Sequence, residues 1–215
     1  TTDPREVIRV LDRELPKDWA YVNGSGHCSF FSVHMHDRPA ENFLTIREFG
    51  PIGNGLSYAA GMAAAKPDRP TVLIEGDGGL MMHAQELETI KRQGWKILLC
   101  ILNDGAFGSE IHKLRVDGID DHGAMYGRND IARMAEGFGI RGALVRDAKA
   151  ALEACDGRQL DGALGEAVEL LALVSGQDVE AGDDGVFRIA GRVARDPLIS
   201  TVVSEDTPGY KSRPR

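Results

Sequence analysis

Two short apolar runs constrain the fold of this chain more than any other sequence feature. Residues 71–74 and 97–102 are nearly all apolar and of strand length, a pattern typical of strands covered on both faces in a parallel sheet. Parallel neighbours need a crossover connection, and a helix candidate at 82–92 lies between the two runs. The sequence therefore predicts a βαβ unit in an α/β domain, with an open parallel sheet flanked by helices.

The other segments fit the same architecture up to Cys155, where the character of the sequence changes. After this point one apolar helix, predicted at 164–174, is followed by sequence dense in Asp, Gly and Arg. We therefore expect 1–156 to form the α/β domain and 157–215 to form an atypical, poorly packed C-terminal extension. Before the change, a strand is predicted at 19–22 and helices at 4–15, 53–65, 129–138 and 149–154.

Composition narrows the class of ligand. The chain has 33 acidic and 25 basic residues, a net charge of -8, which argues against binding to nucleic acid or to an anionic membrane. The three cysteines are widely spaced and suggest neither a disulfide framework nor a zinc site. No apolar stretch approaches about 18 residues, and the start does not look like a signal peptide. We expect a cytoplasmic protein with a small ligand, which begins at Thr1 either after processing or as part of something longer.

Acidic residues follow both strands of the βαβ unit, at the sheet edge where parallel sheets bind ligands. The first run leads into Gly-Asp-Gly-Gly at 76–79, and the second into Asn-Asp-Gly-Ala at 103–106. Asp77 and Asp104 should therefore lie side by side, and carboxylates together with substrate phosphates suit Mg²⁺. The backbone N–H groups of Gly78, Gly79 and Leu80 would open the next helix and favour an anion. The pattern predicts a metal and a diphosphate bound together.

Other interpretations of these glycines are weaker. A dinucleotide fingerprint needs a third glycine where Met81 stands, and the Gly-Lys-Ser/Thr of a phosphate loop occurs nowhere. A nucleotide-binding oxidoreductase is therefore disfavoured. A lone Asp-Gly is usually an ordinary turn, but two at successive strand ends favour a binding site.

The motifs together resemble those of thiamine-diphosphate enzymes of the acetolactate synthase and benzoylformate decarboxylase type. The resemblance is carried by Gly76-Asp77-Gly78, by Glu86-Leu87 on the helix and by Asn103-Asp104. Residues 50–56, 63–68 and 131–142 also resemble segments of that family, so that the match covers about residues 4–147. It implies thiamine diphosphate and Mg²⁺ as cofactors, and a 2-oxo acid as the substrate of a decarboxylase or carboligase.

The resemblance also implies a role for individual residues. The metal would be held by Asp77, by the side chain of Asp104 and by the backbone carbonyl of Ala106. Asn is common where this chain has Asp104; the additional charge would strengthen the hold on a cation and oppose the diphosphate, and Asn103 is an alternative ligand. The cofactor itself would be contacted by Gly26, His27, Gly50, Ile52, Gly78 and Gly79.

Two of these cofactor contacts concern the reacting end. The carbonyl of Gly50 would accept a hydrogen bond from the aminopyrimidine, and Ile52 would fold the two rings together. The amino group can then take the thiazolium C2 proton, which gives the carbanion that attacks a 2-oxo acid.

In the same family, the Glu that activates the pyrimidine belongs to a separate N-terminal domain. We expect no residue of this chain to supply it, since Glu86 and Glu88 on the crossover helix are poor substitutes. We therefore expect the chain to be inactive alone. It would be part of a homo- or hetero-oligomer that a pyrimidine-binding domain or subunit completes, or it would be the small subunit of a split enzyme. Alternatively, it would be a catalytically silent truncated remnant.

The C-terminal extension suggests one origin for such a truncation. Residues 176–180, 183–189 and 196–202 resemble part of an insertion-sequence transposase, which implies a fusion or truncation product. The alternative is a divergent extension that still packs on the sheet through Leu164, Val168, Leu171 and Val174.

Overall fold

The computed structural model describes residues 3–45 and 49–146, together with three later strands. The strands are β1 Ala20–Asn23, β2 Phe43–Thr45, β3 Thr71–Gly76, β4 Ile97–Asn103, β5 Arg141–Val145, β6 Glu169–Val174, β7 Val179–Ala181 and β8 Phe187–Ile189. The helices are α1 Pro4–Glu14, α2 His27–Phe31, α3 Gly55–Ala65, α4 Asp77–Met82, α5 Glu86–Gln93, α6 Gly108–Val116 and α7 Ile131–Gly137.

Six of the strands form one parallel sheet in the order β2-β1-β3-β4-β6-β5. Strands β3 and β4 pair from Thr71 opposite Ile97 to Gly76 opposite Leu102. Their apolar runs are buried along their whole length because both faces of the sheet are covered. This confirms the predicted open parallel sheet flanked by helices.

Alternate residues of the central strands contribute to two separate cores. Val72 and Ile74 face the core that contains α1, whose apolar stripe includes Ile8 and Leu11. Leu73, between them, faces the opposite core. That core is built from α3, α5 and α7 and includes Leu56, Ala59, Leu87, Ile90, Ile131 and Ala135.

Two predicted helices differ from the structure. The helix expected at 82–92 is α5, which begins later, at Glu86, because Met82 is the last residue of the separate helix α4 that opens at Asp77. The helix expected at 164–174 is wrong over its last six residues, which form strand β6 between β4 and β5. The run from Glu169 to Val174 is short and almost entirely apolar, and such a run has no periodicity that separates helix from strand.

The chain divides into two compact units, 1–176 and 177–215. The first contains the six-stranded sheet and extends beyond the boundary predicted near Asp156. In the second, the described residues form the antiparallel pair β7 and β8. The helix predicted at 149–154, the residues around Asp156 and most of the transposase-like segments lie outside the described residues. Within the part of the chain that the structure describes, no helix has the length and apolar character to span a membrane.

Candidate functional site

The site forms where the direction of the chain across the sheet reverses. From β1 the chain runs outward to β2 and then returns to the other side of β1 as β3. Ligands of open parallel sheets bind at such a switch point, beyond the carboxyl ends of the strands. Here the loops that follow β1, β3 and β4 meet at this edge.

Asp77 and Asp104 lie together at the ends of β3 and β4, as the sequence predicts. Asp77 is 1% exposed, and its carboxylate accepts a hydrogen bond from the backbone N–H of Gly105 at 2.9 Å. The backbone N–H of Ala106 donates to Asp104 at 3.2 Å. Burial raises the pKa of both carboxyls, and the negative charge of Asp77 raises that of Asp104 further. A divalent cation between them would relieve both effects.

The turn at Gly78 is closed by two aromatic side chains. A Cβ at Gly78 would lie 2.7 Å from the ring of Phe107 and 2.9 Å from the hydroxyl of Tyr126. That hydroxyl interacts with the carboxylate of Asp77 and lies 3.4 Å from the carbonyl oxygen of Ala106. Sequence analysis did not single out either aromatic residue, because Tyr126 follows Asp77 by 49 positions and only the fold brings them together.

Glu75 is a second buried carboxyl that sequence analysis missed. It is fully buried and accepts hydrogen bonds from the backbone N–H of Gly76 at 3.1 Å and from the thiol of Cys28 at 3.8 Å. Burial raises the pKa of Glu75 to about 7. The sequence does carry a usable signal, because Glu75 is a charged residue at the end of the apolar run that starts at Thr71. Residues two apart in a strand point to the same face, so Glu75 lies on the face that leads to Asp77.

His27 approaches the metal-binding edge from the first strand. A Cβ at Gly108 would lie 2.7 Å from a carboxylate oxygen of Asp104 and 2.9 Å from His27 Nδ1, so both side chains converge on this glycine. The rings of His27 and His112 are 5.1 Å apart. Burial and the nearby His112 lower the pKa of His27 to about 4, so that the imidazole is neutral at pH 7. Gly26, just before it, has φ of 101°, a conformation that glycine permits.

The predicted pyrimidine side of the site lies in the segment before α3. The carbonyl of Gly50 accepts a hydrogen bond from the hydroxyl of Ser25 at 3.3 Å, which joins this segment to the loop after β1. Ile52 is half-buried. Next to it, Gly53 lies so close to α4 that a Cβ there would be 2.9 Å from the Cβ of Met82.

The donor set fits a hydrated Mg²⁺ that also contacts a diphosphate. Two adjacent carboxylates and a backbone carbonyl are hard oxygen ligands, and Mg²⁺ takes its remaining ligands from water and phosphate. Among the described residues no group of three His, Cys, Asp or Glu side chains could hold a metal. A cation held by Asp77 and Asp104 therefore depends on ligands from water and phosphate. Asn103, the alternative ligand, donates through its amide nitrogen to the carbonyl of Asn129 at 2.8 Å, which orients the side chain toward the segment before α7.

The fold and the site define the class of protein as an α/β cofactor-binding domain with its ligand at the carboxyl ends of parallel strands. The chain belongs to the family described as thiamine pyrophosphate enzyme, C-terminal TPP binding domain, whose model matches residues 24–171. This confirms the resemblance seen in the motifs. Thiamine diphosphate, also called thiamine pyrophosphate, is the cofactor of this family, and Mg²⁺ is its usual partner.

Individual proteins resemble this chain in sequence or in fold. The acetolactate synthase isozyme 2 large subunit of Escherichia coli is 31% identical over 140 residues, which cover 63% of this chain and 25% of the relative. A thiamine diphosphate-dependent 4-hydroxybenzoylformate decarboxylase of Rhodococcus jostii shares the fold with a TM-score of 0.73 and 24% identity, over 81% of this chain and 32% of that one.

A benzoylformate decarboxylase of Polynucleobacter necessarius also shares the fold, with a TM-score of 0.71 and 18% identity over 80% of this chain and 33% of its own. The first curated relatives match this chain over about a quarter of their own length.

Proposed function

We propose that this chain binds thiamine diphosphate through a Mg²⁺ bridge and serves a 2-oxo acid decarboxylase or carboligase. The observation that carries the proposal is the close pair of buried Asp77 and half-buried Asp104, whose mutual repulsion a cation would relieve. The carbonyl of Ala106 is the third proposed ligand. It lies in the same loop, next to the backbone N–H group of Gly105 that binds Asp77.

The remaining proposed contacts surround this bridge. Gly78 and Gly79 belong to the first turn of α4, whose N–H groups favour an anion, and Gly26 and the neutral His27 approach from β1. Gly50 and Ile52 would contact the pyrimidine and hold the two rings in their folded form. When bound, the cofactor supplies the carbanion that attacks a 2-oxo acid.

We also propose that the cofactor face lies at a protein interface. Phe49, Met81 and Met82 are large apolar residues near this edge, and each is at least 43% exposed. Exposed apolar groups beside a binding site are typical of a surface that a partner covers. The partner would be a pyrimidine-binding domain or subunit that supplies the activating Glu, in a homo- or hetero-oligomer. The acetolactate synthase relative is named as a large subunit, which supports an oligomer.

Calorimetric titration of the 215-residue chain with thiamine diphosphate tests the metal bridge. We expect binding with Mg²⁺ and little or none with a chelator, because two carboxylates and a diphosphate repel one another without a cation. Asp77→Asn should weaken binding by at least about tenfold, since it removes a charged ligand. Asp117→Asn, at an exposed site after α6, is the matched control and should bind as the parent does. Equal affinity with and without the chelator would contradict the proposal.

A further inference from the structure

The loop before α7 is fastened to the loop that carries the proposed metal ligands. The backbone N–H groups of Tyr126 and Gly127 both donate to the carbonyl of Gly105, at 3.1 and 2.9 Å. The N–H of Phe107 donates to the carbonyl of Ala124 at 2.9 Å. These bonds fix the backbone of Tyr126 beside Asp104 and Ala106, so that its side chain can move only by rotation about its own bonds.

In the structure this side chain points at the proposed cation ligands. Its hydroxyl interacts with the carboxylate of Asp77 and lies 3.4 Å from the carbonyl oxygen of Ala106. Its ring packs edge-on against Phe107, with centroids 5.2 Å apart. An ordinary phenol keeps its proton at neutral pH, so the hydroxyl can donate to either oxygen. Two oxygen atoms assigned to the cation therefore face the hydroxyl of one tyrosine.

We infer that the hydroxyl of Tyr126 competes with the divalent cation for Asp77 and for the carbonyl of Ala106. An oxygen lone pair that accepts the phenol proton is not free for a metal, and the hydroxyl stands close to Gly78, where the diphosphate would bind. Binding of the cation through the lone pairs that face the hydroxyl therefore requires the ring to turn away. The side chain is 39% exposed, which leaves the solvent side open for this rotation. The inference rests on the proposed cation site.

Titration of the full chain with Mn²⁺ alone, followed by electron paramagnetic resonance, tests the competition without any measurement of activity. Tyr126→Phe keeps the ring against Phe107 and removes only the hydroxyl. We expect it to tighten Mn²⁺ binding by about three- to tenfold, the range that one lost hydrogen bond corresponds to. Tyr58→Phe, on the exposed side of α3, is the matched control and should bind as the parent does. Unchanged or weaker binding in Tyr126→Phe would overturn the inference.

Asp77→Asn separates this inference from the proposed function. If Asp77→Asn binds Mn²⁺ with the same affinity as the parent, both the proposed cation site and the proposed competition are wrong. If it weakens binding while Tyr126→Phe does not strengthen it, only the competition is wrong. Should the parent bind too weakly to measure, binding gained in Tyr126→Phe supports the inference, and no gain overturns it. Thermal melting in chelator confirms that each variant is folded.

Discussion

At the scale of single residues, three glycines around the site pack closely against the buried carboxyl of Glu75. Added Cβ atoms at Gly24, Gly55 and Gly79 would lie only 2.0, 1.9 and 2.6 Å from the carboxyl of Glu75. Three segments that surround the proposed cofactor site are therefore packed around one buried side chain. Gly79, predicted from the family resemblance as a diphosphate contact, is also required by the protein's own Glu75.

The ionisation of Glu75 should make the stability of the protein depend on pH. Its pKa rises from 4.5 to about 7 on folding, because burial disfavours the charged form. Below pH 4.5 both states hold the proton; as pH rises toward 7 only the unfolded state releases it, so stability falls across this window. The loss is on the order of 3 kcal/mol.

Urea denaturation in chelator at pH 5 and pH 8 can measure this loss in the parent and in Glu75→Gln. Because Gln does not ionise, the variant should lose less stability between these two pH values than the parent does. Asp77 and Asp104 contribute in the same direction to both proteins, so the difference isolates Glu75. Identical losses would show that the carboxyl keeps an ordinary pKa.

At the scale of secondary-structure elements, the approach of α7 to β5 depends on one residue without a side chain. A Cβ at Gly142 in β5 would lie 2.3 Å from the backbone carbonyl oxygen of Ala132 in α7. Backbone atoms cannot yield as a flexible side chain can, so the two elements would have to separate. Gly61 in α3 differs, because an added Cβ there would meet nothing within 4 Å.

Alanine substitutions at these two glycines should therefore have opposite effects. Gly142→Ala should destabilise the protein by about 1–3 kcal/mol through overpacking. Gly61→Ala should stabilise it by about 0.5–1 kcal/mol, because glycine inside a helix loses more backbone entropy than alanine. The two midpoints of urea denaturation, compared with that of the parent, decide the matter. A stable Gly142→Ala protein would mean that α7 and β5 pack less closely than the structure shows.

At the scale of the whole molecule, the chain combines a family domain with a second unit of different composition. The family match ends at residue 171, and the first compact unit at residue 176. Residues 176–215 are dense in charge and glycine and offer few large apolar side chains. Their origin, whether a transposase-like fusion or a divergent extension, stays a prediction from sequence.

Limited proteolysis should distinguish the two units. Little apolar burial is available in 176–215 to offset the entropy of ordering, so we expect the first cuts there. A core that still binds thiamine diphosphate should remain. Mass spectrometry of the early fragments identifies the cut sites, and residues 71–102, with their two buried strands, serve as the protected reference. Equal protection of both regions would show the extension to be an integral part of the fold.

The sequence by itself determined the central βαβ unit and the place of its two acidic residues. The runs at 71–74 and 97–102 are apolar because both faces of each strand are covered, and that pattern is local. Parallel neighbours end at the same edge, so Asp77 and Asp104 had to meet once the two strands were recognised.

Only the tertiary structure decided the role of Glu169–Val174 and the surroundings of Glu75 and Tyr126. An apolar run of six residues has no period that separates strand from helix, and pairing with β4 and β5 selected the strand. The glycines that enclose Glu75 come from three separate segments, and Tyr126 reaches Asp77 across 49 positions of the chain. Such contacts depend on how distant segments pack, and local sequence patterns do not encode them.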